Sequence, residues 1–169
     1  KISTILIGGS RVGFDFIKLF QKEKKDFIVI EHDPDVLKIL ENMEVRAEYG
    51  DANDPDLLDD LKIKQSEMVV STVPDLETNL VILSCARRNG KGPTVIVVAH
   101  KISDALALYE AGADYVILPH FLGGSYAAKM VRKFTRDTLD LNDVKQKHIK
   151  SLNSRKTYGH EHPQFDKNI

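Results

Sequence analysis

The stretch Gly8-Gly9-Ser10-Arg11-Val12-Gly13 has the residue types and spacing that hold a phosphate, because it follows an apolar, β-branched run and opens an apolar segment of helical period. In that setting Gly8 permits a tight turn, the helix start offers unpaired N–H groups and a positive dipole end, and Gly13 lets helix and strand pack closely. The pattern departs from G-x-G-x-x-G at its middle position, where Ser10 replaces the glycine that lets backbone approach a pyrophosphate. Its side chain must either crowd such a ligand or donate a hydrogen bond to it. The same six residues also suit a plain strand-to-helix turn in a scaffold that holds no nucleotide.

Glu31 ends the second apolar run, 23 residues after Gly8. An acid roughly 20 residues beyond the glycine turn accepts hydrogen bonds from ribose hydroxyls and disfavours a 2′-phosphate, which points to NAD-like or plain adenine nucleotides over NADP. Taken alone, Glu31 reads as a solvated charge at a strand end; the glycine turn at the right distance favours the ribose role. Gly50-Asp51-Ala52 follows the third run, where a carboxylate and adjacent backbone can meet an adenine edge, although Gly-Asp-Ala-Asn-Asp-Pro is also good turn chemistry. Ser71-Thr72-Val73-Pro74 follows the fourth run, across the switch point where open α/β sheets bind ligands.

Other chemistry has little support. The chain has no G-x-S-x-G elbow, no G-x-x-x-x-G-K-[ST] loop and no Cys pair for zinc. Cys85 sits in a helical apolar stripe and reads as a small buried hydrophobe. His160 and His162 flank Glu161 in a weakly patterned tail and lack a third ligand for a metal. His100 and His120 both follow strands on the ligand side, a position that histidine also takes as a plain polar terminator. No catalytic residue and no metal site are assigned.

These residues need a frame that brings strand ends together. Short apolar runs at Thr4 to Ile7, Phe27 to Ile30, Val45 to Tyr49, Met68 to Thr72, Thr94 to Ala99 and Tyr115 to Leu118 read as six strands. Most are apolar at nearly every position, as parallel strands covered on both faces require. Between them lie helical stripes such as Val12, Phe16, Ile17, Phe20 and Val36, Ile39, Leu40, Met43. Asp33-Pro34-Asp35 and Asp54-Pro55-Asp56 mark helix starts, and Gly90 and Gly112 mark helix ends. Right-handed crossovers then give an α/β fold with a doubly wound, parallel, Rossmann-like sheet of six strands in the order 3-2-1-4-5-6.

A sixth helix, from about Phe121 to Arg136, carries Leu122, Ala127, Met130, Val131 and Phe134 on one stripe. Beyond it, residues 141 to 169 hold six basic residues against three acids. Leu141, Val144, His148 and Leu152 are spaced for one more short helix, and from about Ser151 a linker or disordered tail is expected. The expected organisation is a nucleotide-binding domain over residues 1–136 and a helical linker with tail over 137–169.

Composition is consistent with this. The 169 residues are 42% hydrophobic and 29% charged, enough at this length for a core without staples. A single cysteine suggests a reducing compartment. The net charge of −1 gives no general attraction to nucleic acid or an anionic membrane surface. No apolar run approaches the roughly 20 residues that span a bilayer. The first residue is Lys1, as in a piece of a larger polypeptide.

The sequence resembles the TrkA-N, or RCK (regulator of potassium conductance), family over about residues 1 to 135. The carriers are Ile5 to Gly13, Val29 to Pro34, Tyr49 to Asp54, Ser71 to Asn79 and Ala111 to Pro119, five segments in order. Leu118-Pro119-His120-Phe121-Leu122-Gly123-Gly124 looks most like the Kef-like branch fused to cation/proton antiporters. The resemblance implies a non-enzymatic regulatory domain that binds NAD(H) or an adenine nucleotide (AMP, ADP or ATP). It further implies gating of a potassium channel, transporter or antiporter at the cytoplasmic face of the cell membrane, in the same polypeptide or a separate one. By motif position Gly8, Arg11 and Gly13 would meet the phosphates, with Gly9, Ser10 and Val12 completing the turn. Glu31 would meet the ribose and Asp51 with Ala52 the adenine end, while Thr72, Val73 and Asn79 would close the opposite wall. The family's usual pairing implies a homodimer through the C-terminal helix, where Tyr126, Met130 and Phe134 line up. Two other readings remain at this level: the cofactor domain of an NAD-dependent oxidoreductase lacking its substrate domain, and a scaffold that only dimerises.

Overall fold

The computed structural model describes residues 3–87, 92–136 and 140–159. Strands and helices alternate as β1 (Thr4–Ile7), α1 (Val12–Lys22), β2 (Phe27–Glu31), α2 (Pro34–Asn42), β3 (Ala47–Tyr49), α3 (Pro55–Asp60), β4 (Met68–Ser71), α4 (Leu76–Ala86), β5 (Thr94–Val98), α5 (Ile102–Glu110) and β6 (Tyr115–Ile117). Two further helices follow, α6 (Pro119–Thr135) and α7 (Leu141–Thr157). The six strands are parallel, in the expected order β3-β2-β1-β4-β5-β6. Chain direction across the sheet reverses between β1 and β4, the switch point. Register sets Ile7 beside both Ile30 and Ser71, and Glu31 beside Tyr49, so four strand ends share one rim.

The central strands are apolar at nearly every position because each face of the sheet has its own core. On one face Ile5, Ile7, Val69, Val95 and Val97 pack with Leu58, Ile82, Leu83 and Leu108. On the other, Leu6, Val29 and Val70 pack with Ile17, Phe20 and Leu40. Each such side chain contributes about 1.5–3 kcal/mol when fully buried, which holds the rim rigid from below.

Helix starts follow the residue signals. Asp33 and Asp54 each accept the N–H two residues on, from Asp35 and Asp56 at 2.9 Å, with Pro34 and Pro55 at the first helical positions. Asp75 caps α4 through the Thr78 N–H (2.8 Å) and Oγ1 (2.7 Å). Gly112 ends α5 with φ +100° and donates to the Tyr109 carbonyl; Gly90 lies outside the described residues.

Two expectations need correction. The inward face of α1 carries Phe14, buried to 2% exposure, where Val12 was expected; Val12 is half-buried because it sits at the helix's first turn. Residues from Ser151 do not form a tail at once: α7 continues to Thr157. It is held locally, by the Asp140 cap on the Asn142 N–H (2.8 Å) and a Lys147–Asp143 pair one turn apart (2.6 Å), since no α7 residue is buried. Its Lys147 ammonium is held above its usual pKa by the hydrogen bond and charge of Asp143. His160, Glu161 and His162 lie outside the described residues. By its internal packing the chain divides into two compact units, Lys1–Pro119 and His120–Ile169. No residue of α6 is buried. Among the described residues no helix is long and apolar enough to cross a membrane.

Candidate functional site

The rim above β1, β2 and β4 is built around the glycine turn. Gly8 has φ +87° and donates its N–H to the Ile30 carbonyl at 2.9 Å, tying the end of β1 to β2. A Cβ on Gly8 would lie 2.4 Å from Thr72 Oγ1, and one on Gly13 would lie 2.0 Å from the Gly8 carbonyl oxygen. Gly13 is therefore required for α1 to pass over the turn, and Gly8 by both its backbone angle and its neighbour. Ser10 takes an ordinary φ, so its side chain adds no backbone strain. The positive φ falls on Arg11 instead (49°), where the helix begins without a side-chain cap. The first-turn amides of α1, unlike those of α2, α3, α4 and α7, have no carboxylate from their own N-cap residue.

Glu31 is not a solvated strand-end charge. It is 5% exposed, and its carboxylate accepts three backbone N–H groups: Gly9 on Oε2 at 2.8 Å, and His32 and Asp33 on Oε1 at 2.9 and 3.0 Å. His32 Nδ1 lies 3.4 Å from Oε1. A carboxylate has about four acceptor directions, so roughly one remains for a hydroxyl. Sequence spacing located this acid but not its second task, which is to latch the glycine turn onto the end of β2.

Thr72 mirrors the latch from β4. Its N–H donates to the Ile7 carbonyl at 2.9 Å, and its hydroxyl lies 3.1 Å from the carbonyls of both Ile7 and Gly8. Val73 follows, with its Cγ2 at 3.6 Å from where a Gly8 Cβ would sit. Asn79 is fully buried, and its amide donates to the carbonyls of Val73 (2.8 Å) and Val98 (3.1 Å). Ser71 Oγ and Asn79 Oδ1 are buried without a partner among the described residues. Asp51 joins the rim through its neighbour, since Gly50 donates to the Glu31 carbonyl at 3.1 Å; its own exposed carboxylate accepts the Asn53 N–H at 2.8 Å, and Ala52 is buried beneath.

The structure thus gathers Gly8, Gly9, Gly13, Glu31, Thr72 and Val73 by direct contact, and Asn79 through the Val73 carbonyl. The Asp75 cap escaped the sequence reading, although an Asp before an apolar helical run is its usual signal. His100 and His120 are exposed, and Cys85 is buried as expected. Among the described residues no group of three His, Cys, Asp or Glu is placed to hold a metal. The residues present fit a phosphorylated nucleoside: the positive dipole end of α1, which starts without a side-chain cap, for the anion, and one carboxylate direction for a hydroxyl.

Residues 4–119 match the TrkA-N domain family. The glutathione-regulated potassium-efflux system protein KefC of Escherichia coli O157:H7 is 26% identical over 110 residues, 65% of this chain and 18% of KefC. The chain therefore matches less than a fifth of that relative's length. Among solved structures, the TrkA-N domain of the Escherichia coli inner membrane protein ybaL is similar with TM-score 0.69 and 20% identity, covering 76% of this chain and 96% of its own. The Kef CTD of Shewanella denitrificans in its AMP-bound form gives 0.62 and 16%, with 92% and 94% covered. The GsuK channel bound to NAD gives 0.60 and 19%, with 68% and 21% covered. At these identities the solved structures establish the fold.

Proposed function

The chain belongs to the TrkA-N domain family, and we propose that it is a regulatory domain that binds an adenine nucleotide or NAD(H) on the β1–β2–β4 rim and thereby gates a Kef-like cation/proton antiporter or potassium channel. The observation that carries this is the glycine turn, clasped by Glu31 on one side and Thr72 on the other, at the point where α1 begins without a side-chain cap and turns its positive dipole end to the rim. That a Kef CTD is known with AMP and GsuK with NAD supports the ligand class. The likeness to KefC supports a membrane transport partner. On this reading Gly8 to Gly13 face the phosphates, Glu31 the ribose, and Asp51 and Ala52 the adenine, at the cytoplasmic face of the membrane.

The reading includes a homodimer through the helical unit. Phe121, Leu122, Tyr126, Val131 and Phe134 of α6 are all exposed, an apolar surface that a second copy would cover. Charge favours a pairing in which this unit lies on the second copy's first unit: residues through Pro119 include twenty acids against fourteen bases, and those beyond it ten bases against five acids.

Thermal unfolding with AMP, ADP, ATP, NAD, NADH and NADP tests the ligand. A ligand at a hundred times its Kd adds about 2.7 kcal/mol to stability, which for a chain of this size raises Tm by roughly 5–10 °C. NADP is expected to act least, because its 2′-phosphate would face the buried Glu31 carboxylate. No shift with any of the six would refute the proposal.

A further inference from the structure

Asn79 stands apart from the other rim residues. It is fully buried, both amide hydrogens are spent on the carbonyls of Val73 and Val98, and its Oδ1 is buried as well. No atom of it is free to meet a ligand lying on the rim. What it holds is the segment after β4, whose Thr72 hydroxyl and Val73 side chain pack against the glycine turn.

The rim has two flanks. Glu31 and the glycine turn lie on the β1–β2 flank, while Thr72 and Val73 form the β4 flank across the switch point. A nucleoside monophosphate needs only the first. A dinucleotide must carry its second half over the β4 flank.

Resting on the nucleotide reading above, we propose that Asn79 is a specificity-determining positioning residue: by fixing the Val73 and Val98 carbonyls it shapes the β4 flank, and so sets the preference between dinucleotide and mononucleotide without touching either. Removing its amide leaves two carbonyls, that of the buried Val98 and that of the half-buried Val73, without their donor. The segment carrying Thr72 and Val73 then relaxes, and only ligands that reach it lose affinity. A purely structural role would instead lower the folded fraction, which weakens every ligand by one common factor and leaves the ratio of affinities unchanged.

The test is calorimetric titration of AMP and NADH into the full chain and its Asn79→Ser, Asn79→Ala and Asn79→Asp variants. NADH affinity is expected to fall about ten- to thirtyfold in Asn79→Ala, the scale of two lost hydrogen bonds, with AMP affinity held within about threefold. Asn79→Ser, which keeps one donor, should fall between parent and Ala. Asn79→Asp, which turns a carboxylate toward two carbonyl oxygens, should lose most. If the larger substitutions fail to fold, the serine variant alone decides, through its NADH-to-AMP affinity ratio. An unchanged ratio overturns the inference while leaving nucleotide binding intact. A parent that binds only one of the two ligands also overturns it, since both flanks must be usable. A parent that binds neither sinks the nucleotide reading itself.

Discussion

Replacing Glu31 by Ala separates the latch from the ligand contact. The substitution removes the acceptor of three backbone N–H groups, but the three are not equivalent. His32 and Asp33 are exposed, so their amides return to water at little cost. Gly9 is buried, and its N–H is left without a partner, which costs about 1–3 kcal/mol. A loss near 2 kcal/mol corresponds to a Tm lower by roughly 4–8 °C for a chain of this size, with no ligand present. Glu31→Gln keeps an oxygen for Gly9 and should lose about half as much. Differential scanning calorimetry of the three proteins, followed by AMP titration, reads both roles. If Glu31→Ala melts within about 1 °C of the parent, the carboxylate does not hold the turn and the latch is wrong. If it melts as expected while AMP binds unchanged, the ribose assignment is wrong.

Other substitutions probe other links. Gly13→Ala should abolish folding or cost several kcal/mol, because its Cβ would overlap the Gly8 carbonyl oxygen at 2.0 Å; circular dichroism and urea unfolding read the loss, and near-parent stability would contradict the close passage of α1. Arg87 donates to the carbonyls of Gly112 (3.1 Å) and Pro93 (2.7 Å) and pairs with Asp114, which also accepts the Val95 N–H at 2.6 Å. Arg87→Ala should therefore destabilise by about 1–3 kcal/mol, yet leave AMP affinity within about twofold, since this clasp sits at the starts of β5 and β6, opposite the rim. Light scattering should give twice the chain mass, with dissociation favoured by salt and by Phe134→Asp; a monomer at high concentration would refute the pairing. Incubation with NADH and common 2-oxo acids should show no oxidation of the cofactor, and turnover would favour the oxidoreductase reading.

The sheet was legible because its signals are local and redundant. Runs such as Ile5-Leu6-Ile7 are apolar at every position only when both faces are covered, and the Asp-Pro pairs at 33–34 and 54–55 fix where helices begin. Glu31 was legible as an acid at the right distance, but its burial depends on Gly9, Asp33 and β2 meeting in space, which spacing alone does not encode. Asn79 was placed on the wall by resemblance, while its actual partners, the Val73 and Val98 carbonyls, lie 6 and 19 residues away. The end of α7 was misjudged for a different reason. Lack of core-forming residues signals exposure, not disorder, when an Asp cap and an i,i+4 ion pair support the helix by themselves.

These bonds also limit how a ligand can act as a signal. The glycine turn is already tied to β2 through Gly8, Gly9 and Glu31, and to β4 through Thr72, before any ligand arrives. A ligand shifts a conformational equilibrium only by its difference in affinity for the two states, and a turn held identically in both states supplies none. The β4 flank is different. Beyond Thr72, the segment at Val73 rests on the two hydrogen bonds donated by the amide of one asparagine, beside two buried polar atoms that have no partner among the described residues. A ligand that reaches this flank can favour one arrangement of the Val73 segment over another, whereas one confined to the turn and Glu31 chiefly adds stability. On the regulatory reading proposed above, a nucleotide's reach onto this flank would then decide how far it shifts that equilibrium.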